Sequence, residues 1–289
     1  MKLVRFGPPG AERPGVWLED APGKEQAGIL DVRAMAFDIE DYDAHFFSRW
    51  GLERLRGLLA EKNRKIVPTE GVRLGPPVAR PGKIICLGKN YRDHIAEFDS
   101  KTPDRPILFA KAATSLAGPN DPIRIPADAE VDVEVELAAV IGKTARNISE
   151  DESMSCVAGY TILDDVTDRA AQRADGQWFR AKSRDTFCPL GPFLVTADEV
   201  PDPYALRLTS KIRGQVVQDA RASDMIFRIA HLIAYASAAM TLEPGDVLST
   251  GTPGGIGSAR QPPVLLRPGD EVEVGIEGLG VQRNRVEPA

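Results

Sequence analysis

Apolar and polar residues alternate around Leu3 and Arg5 and again through Val16-Trp17-Leu18, a two-residue period that predicts short strands in a small N-terminal α/β unit. From Trp50 to Lys62 the period lengthens. Leu52, Leu55, Leu58 and Leu59 recur at three- and four-residue spacings, which predicts a helix. The proline- and glycine-rich run from Leu74 to Gly82 reads as a linker or an irregular crossing. This sets a small unit at 1–76 and a larger one at 77–289.

Beyond that crossing the pattern is mostly strand-like. Lys83 to Gly88 is a short apolar run and predicts a buried strand, while Val131 to Ile141 alternates at first and then becomes fully apolar. Gly159 to Leu163, Pro192 to Val195 and the alternating Val272, Val274 and Ile276 give further strands. One long helix is expected late, from about Asp224 to Met240. Met225, Ile229, Leu232, Ile233 and Ala236 form its apolar stripe, Ser223 or Asp224 caps it, and Pro244-Gly245 stops it. No internal repeat, heptad or low-complexity segment interrupts this pattern. Many short strands with few helices predict a β-rich α+β fold rather than a doubly wound sheet.

Composition narrows the function classes. With 36 basic and 42 acidic residues the net charge is −6, which argues against a general nucleic-acid surface. No apolar run is long enough for a transmembrane helix, and the N-terminus has no apolar signal core before Pro8-Pro9-Gly10, so a cytoplasmic chain is expected. Cys86, Cys156 and Cys188 are far apart and odd in number. That spacing supports neither a disulfide framework nor a thiolate site, and each reads as a small buried hydrophobe.

The chemistry concentrates in Val131-Asp132-Val133-Glu134-Val135-Glu136-Leu137. On a strand, alternate side chains share a face, so Asp132, Glu134 and Glu136 stand on one side, successive carboxylates about 7 Å apart. Such a row requires a hard cation or basic side chains, unless it is a solvated acidic face. Asp164 and Asp165 add two carboxylates at the end of an apolar strand. With only three histidines and no cysteine pair, a zinc site of nitrogen and sulfur ligands is disfavoured, and oxygen ligands select Mg²⁺, Mn²⁺ or Ca²⁺.

His94 and Glu97 are three apart and meet on one face if the segment is helical. A carboxylate on one ring nitrogen leaves the other to take a proton from water; the alternative is a polar helix surface. Lys182 is a candidate to offset enolate charge or polarise a carbonyl. Ser249 to Gly255 lacks the lysine of a P-loop and the spacing of a dinucleotide fingerprint, so no nucleotide cofactor is expected; it reads as an anion-accepting or plain turn.

Taken in series these segments resemble one family. Asn90, Tyr91, His94 and Glu97 are spaced as in the dyad motif of the fumarylacetoacetate hydrolase family. Glu134 and Glu136, followed about thirty residues later by Asp165, resemble its metal ligands. Gln177-Trp178, Lys182-Ser183, Asp185-Thr186, Pro189-Leu190-Gly191-Pro192, Pro244-Gly245-Asp246 and Thr250-Gly251-Thr252-Pro253 match in order, so the likeness runs from about residue 80 to 286.

The resemblance implies a catalytic domain of mixed β-roll or sandwich type behind the small N-terminal domain. It implies Mg²⁺ or Mn²⁺ on Glu134, Glu136 and Asp165, and water activation by His94 oriented by Glu97. Lys182 would support the substrate's oxygen charge, and Lys111, Gln177 and Thr252 would bind substrate. Members hydrolyse acylpyruvates, decarboxylate oxaloacetate or isomerise related enols, all through a metal-held enolate. The implied protein is a homodimer acting on a small 2-oxo or 2,4-dioxo acid, with no nucleic-acid or membrane partner. The ends of the chain, Met1-Lys2-Leu3 and Gly278 to Arg283, resemble the branch that hydrolyses 2,4-diketo-3-deoxy sugar acids. Oxaloacetate decarboxylation or tautomerisation is the alternative, and an inactive sugar-acid binding member a further one. Asp168 and Ala170 flank Arg169 where many members carry a small residue and an aspartate. Asp164 stands where asparagine is frequent, and Arg184 replaces a neutral or apolar residue. Residues 94–104 are a candidate lid over the site.

Overall fold

The computed structural model describes residues 1–19, 27–97 and 101–289, so three residues of the 94–104 segment lie outside the described residues. Two sheets dominate. The larger has eleven strands: Ile66–Val67, Gly28–Asp31, Arg13–Leu18, Lys2–Phe6, Leu194–Thr196, Val157–Asp164, Val135–Ile141, Val247–Ser249, Ile84–Gly88 and Ile107–Lys111 in spatial order, with Leu74–Gly75 joined to Lys2–Phe6. The smaller runs Gln215–Arg221, Arg207–Ile212, Glu271–Ile276, Gly280–Pro288 and Ile123–Ile125. The chain is thus the strand-rich α+β protein that the periodicity predicts.

Strand Val135–Ile141 is buried along its whole length, and its alternation feeds two cores. Val135, Leu137, Ala139 and Ile141 pack with Leu208, Ile212, Val272 and Val274 of the smaller sheet. Ala138 and Val140, on the other face, pack with Leu3, Val16 and Leu30 and with Leu55 and Leu58 of helix Gly51–Leu59. Two covered faces require a strand this apolar, and Glu136 is its one polar residue. The proline-rich crossing is built into this body: Arg5 pairs with Gly75 and Phe6 with Leu74, and Arg5 Nη1 donates to the Pro76 carbonyl at 3.2 Å.

Two expected elements are shorter than their patterns. The alternating run from Val131 breaks into Val131–Asp132 and Val135–Ile141, because side chains capture the backbone donors between them. Val133 N donates to Asp132 Oδ1 at 2.9 Å and Glu134 N to Asp164 Oδ1 at 3.0 Å. The late helix begins at Ile229, not Asp224, and Arg228 precedes it with no side-chain cap. Asn90 is the reason. Its carbonyl accepts from Ile226 N at 2.7 Å and its Oδ1 from Phe227 N at 2.8 Å, holding these residues out of the helix. Asp224 instead closes a single tight turn, accepting from Arg221 N. Among the described residues, no helix is long and apolar enough to cross a membrane. All three cysteines are free and buried.

Candidate active site

Register brings the carboxylates together. Val135 lies opposite Asp164, and Asp165 N donates to the Glu134 carbonyl at 3.0 Å, so the turn after strand Val157–Asp164 delivers Asp165 beside Glu134 and Glu136. One oxygen from each of the three lies within 4.8 Å of the others, and all three side chains are buried. Like charges at that spacing repel by roughly 3–4 kcal/mol at an effective dielectric near 20.

Basic side chains answer two of them. Lys182 Nζ donates to Glu134 Oε2 at 2.9 Å, to Asp165 Oδ2 at 2.5 Å and to Thr167 Oγ1 at 2.8 Å. Arg169 Nη2 reaches Glu134 Oε1 at 2.6 Å and Asp132 Oδ2 at 3.1 Å. Lys111 Nζ reaches Asp165 Oδ1 at 2.7 Å from behind. Burial pushes Glu134 up, but Lys182, Arg169 and His94 outweigh it and hold this carboxyl well below the usual range. Burial likewise opposes the Lys182 charge, and Asp165 and Glu134 reverse that, raising it above an ordinary lysine.

Glu136 differs. Its Oε2 accepts from the Ser249 hydroxyl and, at 3.2 Å, from Gly251 N. Burial raises its carboxyl well above the usual range, and Asp165 and Glu134 raise it further. Among the described residues no lysine or arginine bonds Glu136, so of the three carboxyls it is the one a bound cation would answer. The donors are all oxygen and buried, on strand Val135–Ile141 or next to a strand end, a set that fits a hard divalent ion.

Glu134 and Glu136 floor a cleft of about 300 Å³. His94 forms one wall. Helix Arg92–Glu97 is short, and Asp93 Oδ1 accepts from His94 N at 2.8 Å. His94 Nδ1 lies 3.2 Å from Glu97 Oε2, while Glu97 Oε1 accepts from Gly255 N. Gly255 has φ +98°, and a Cβ there would sit 2.1 Å from the Val217 carbonyl, so only glycine lets this amide reach Glu97. Thr252 also lines the cleft, its Oγ1 accepting from Gln218 Nε2 at 2.7 Å and donating to the Val135 carbonyl at 2.9 Å.

Lys111 and Gln177 do not line the cleft. Lys111 is sealed behind Asp165, and Gln177 is exposed, its Oε1 accepting from Phe179 N at 3.2 Å. Asp132 leaves the carboxylate row. It accepts from Gly257 N at 3.1 Å and Ser258 N at 2.8 Å and holds Arg169. Residues that sequence reasoning passed over also line the cleft. Arg169, Gln172 and Arg173 share one face of helix Arg169–Asp175 at the i, i+3, i+4 spacing that was there to be read. Asp168 caps that helix, accepting from Ala171 N at 3.1 Å, and pairs with Arg184 at 2.7 Å, so two departures from the family pattern meet each other.

A family model described as fumarylacetoacetate (FAA) hydrolase, C-terminal, matches residues 83–287. The chain belongs to the fumarylacetoacetate hydrolase family. It is 42% identical over 290 residues to oxaloacetate tautomerase Fahd2a, mitochondrial, of Rattus norvegicus, covering 99% of this chain and 91% of that protein. Its structure is similar to fumarylacetoacetate hydrolase from psychrophilic Exiguobacterium antarcticum, with TM-score 0.84 and 36% identity over 100% of both chains. It is also similar to maleylpyruvate hydrolase from Sphingobium sp. SYK-6, with TM-score 0.82 and 31% identity over 100% of both.

Proposed function

We propose that this protein is a Mg²⁺- or Mn²⁺-dependent cytoplasmic hydrolase that cleaves a C–C bond of a small 2,4-dioxo acid, either an acylpyruvate or a 2,4-diketo-3-deoxy sugar acid. One observation carries the reading: His94, held through Nδ1 by Glu97, lines the same cleft as Glu134 and Glu136 of the buried trio. The family's other activities need the trio, whereas a water-activating pair is what hydrolysis adds.

In this reading Glu134, Glu136 and Asp165 hold the ion, which when bound supplies Lewis-acid charge to the substrate's oxygens. Glu97 fixes the His94 tautomer through Nδ1, and the ring takes a proton from water. The resulting hydroxide adds to the 4-keto carbon. The bond between carbons 3 and 4 then breaks, its electron pair passing to the pyruvate fragment as an enolate, and the acyl fragment leaves as a carboxylic acid. His94 returns its proton to carbon 3, giving pyruvate. Lys182, whose charge the site stabilises, offsets the enolate oxygen. Thr252, on the cleft wall, orients the substrate's carboxylate, and Lys111 acts from behind by holding Asp165 in place. The active form is a homodimer, which sedimentation tests.

The deciding assay is Mg²⁺-dependent pyruvate release from a panel of acylpyruvates, with oxaloacetate run alongside. Turnover of an acylpyruvate that Glu134→Ala abolishes supports the reading. A second reading, oxaloacetate tautomerase, is favoured by the name of the rat relative. There His94 would move a proton between carbon 3 and the enol oxygen without consuming water. Keto–enol interconversion of oxaloacetate with no pyruvate released from any acylpyruvate would put it in first place. Binding of these acids with no turnover of any would leave an inactive binding member.

A further inference from the structure

We infer that Trp178 sets the length of substituent that the cleft accepts beyond the 2-oxo acid headgroup, an inference that rests on the 2-oxo acid reading above. The carboxylate floor and the basic residues around it can hold the charged end of a substrate, but they give no reason for one tail length over another. The aromatic wall does. Trp178, Phe109, Leu87 and Gly88 line the same cleft as Glu134 and Lys182.

Trp178 is fixed from three sides. Its ring meets Phe109 edge-on, with centroids 5.3 Å apart. Its carbonyl accepts from Lys182 N at 3.1 Å, so a single turn delivers the indole to the wall and the ammonium to the floor. Gly88, the last residue of strand Ile84–Gly88, leaves the room the indole occupies. A Cβ there would lie 2.4 Å from Trp178 Cζ3 and 2.7 Å from Cη2. Those atoms are the far edge of the ring, so an added methyl displaces the indole away from the strand and into the cleft. Lys182 Nζ also stands 5.1 Å from the Phe109 centroid, which ties the wall to the charged floor. Distance between headgroup and indole is therefore built into one short turn, and the two substitutions at this contact have opposite signs. Trp178→Ala lengthens the space for a tail, and Gly88→Ala shortens it.

The test is calorimetric binding of straight-chain 2-oxo acids, from pyruvate to 2-oxooctanoate, to the Mg²⁺-loaded full-length protein. It reads recognition whether the enzyme hydrolyses or tautomerises. Trp178→Ala is expected to improve the affinity for the longest acids relative to pyruvate by about tenfold, the scale of one methylene in an apolar pocket. Gly88→Ala is expected to worsen it by a similar factor, with pyruvate little changed in both. Equal effects of each variant on all acids, or shifts of both in the same direction, overturn the inference while leaving the headgroup reading intact. A wild-type protein that binds no acid of the series overturns the headgroup reading and this inference with it. If Trp178→Ala does not fold, Gly88→Ala and Trp178→Phe carry the same test.

Discussion

Glu134 and His94 line the same cleft, but the chain holds them by different means. Each Glu134 oxygen takes a charged donor, Lys182 on one and Arg169 on the other, and the carboxylate lies beside a strand buried on both faces. His94 rides a six-residue helix and is oriented by Glu97, whose side chain is 23% exposed, across 3.2 Å. The floor is locked by charge and burial, and the wall is positioned by a few hydrogen bonds. Damage to the floor should therefore cost both fold and activity, whereas damage to the wall should cost activity alone.

The largest effect is expected from Lys182→Met. It strips a cation from a buried cluster and leaves Glu134 and Asp165 short of charge, with a loss of about 3–5 kcal/mol in urea unfolding and of nearly all turnover. A variant with unchanged stability would show that the floor is not charge-locked. Next comes His94→Ala, which should lower kcat by about 10²–10⁴ while the melting curve stays put. A parallel collapse of stability would erase the contrast between the two regions. Metal sharpens it further. Mg²⁺ at about a hundred times its Kd should stabilise the wild type and His94→Ala alike by roughly 2.7 kcal/mol, and Glu136→Ala by far less, all lost on chelation.

Asp164 gives a pH test of the floor. Burial pushes its carboxyl up to about 8, against an ordinary 3.8, and its Oδ2 is buried without a partner. Between roughly pH 4 and 8 the folded chain therefore holds a proton that the unfolded chain has released. This group's contribution to stability is full below about pH 4 and falls as pH rises toward 8. In chelator-treated protein, Asp164→Asn should flatten the decline between pH 5 and 8, and equal slopes in the two proteins would count against the assignment. The smallest effect is expected at Arg184→Gln. Its pair with Asp168 is 34% exposed on the arginine side, and its loss should cost less than about 1 kcal/mol by thermal unfolding.

The sequence was legible where a feature depends on near neighbours. Alternation placed Glu134 and Glu136 on one face of a strand whose other face is apolar, and the structure keeps them together. It misled at Asp132, because alternation assumes an unbroken ladder and cannot see that side chains of Asp132 and Asp164 take over the next two amides. The late helix was drawn too long for a related reason: the group that holds Ile226 and Phe227 out of the helix is Asn90, distant in sequence. Asp165 joined the trio only through the family resemblance, since nothing local says that strand Val157–Asp164 lies beside Val135–Ile141. Arg169, named only for its unusual neighbours, and Gln172 were not assigned to the site because their helix has seven residues and no apolar stripe to announce it.

The order of strands in the large sheet also bears on how the chain is made. Lys2 pairs with Val195 and Leu3 with Leu194, so the half of that edge which Leu74–Gly75 does not cover has no partner until residue 194 has left the ribosome. An open strand edge is a template for other chains, and pairings so distant in sequence form late and slowly. During synthesis that part of the edge stays exposed until a segment from the middle of the same sheet arrives. Fragments ending before residue 194 should accumulate as aggregates, while the whole chain, once released, closes that edge from within.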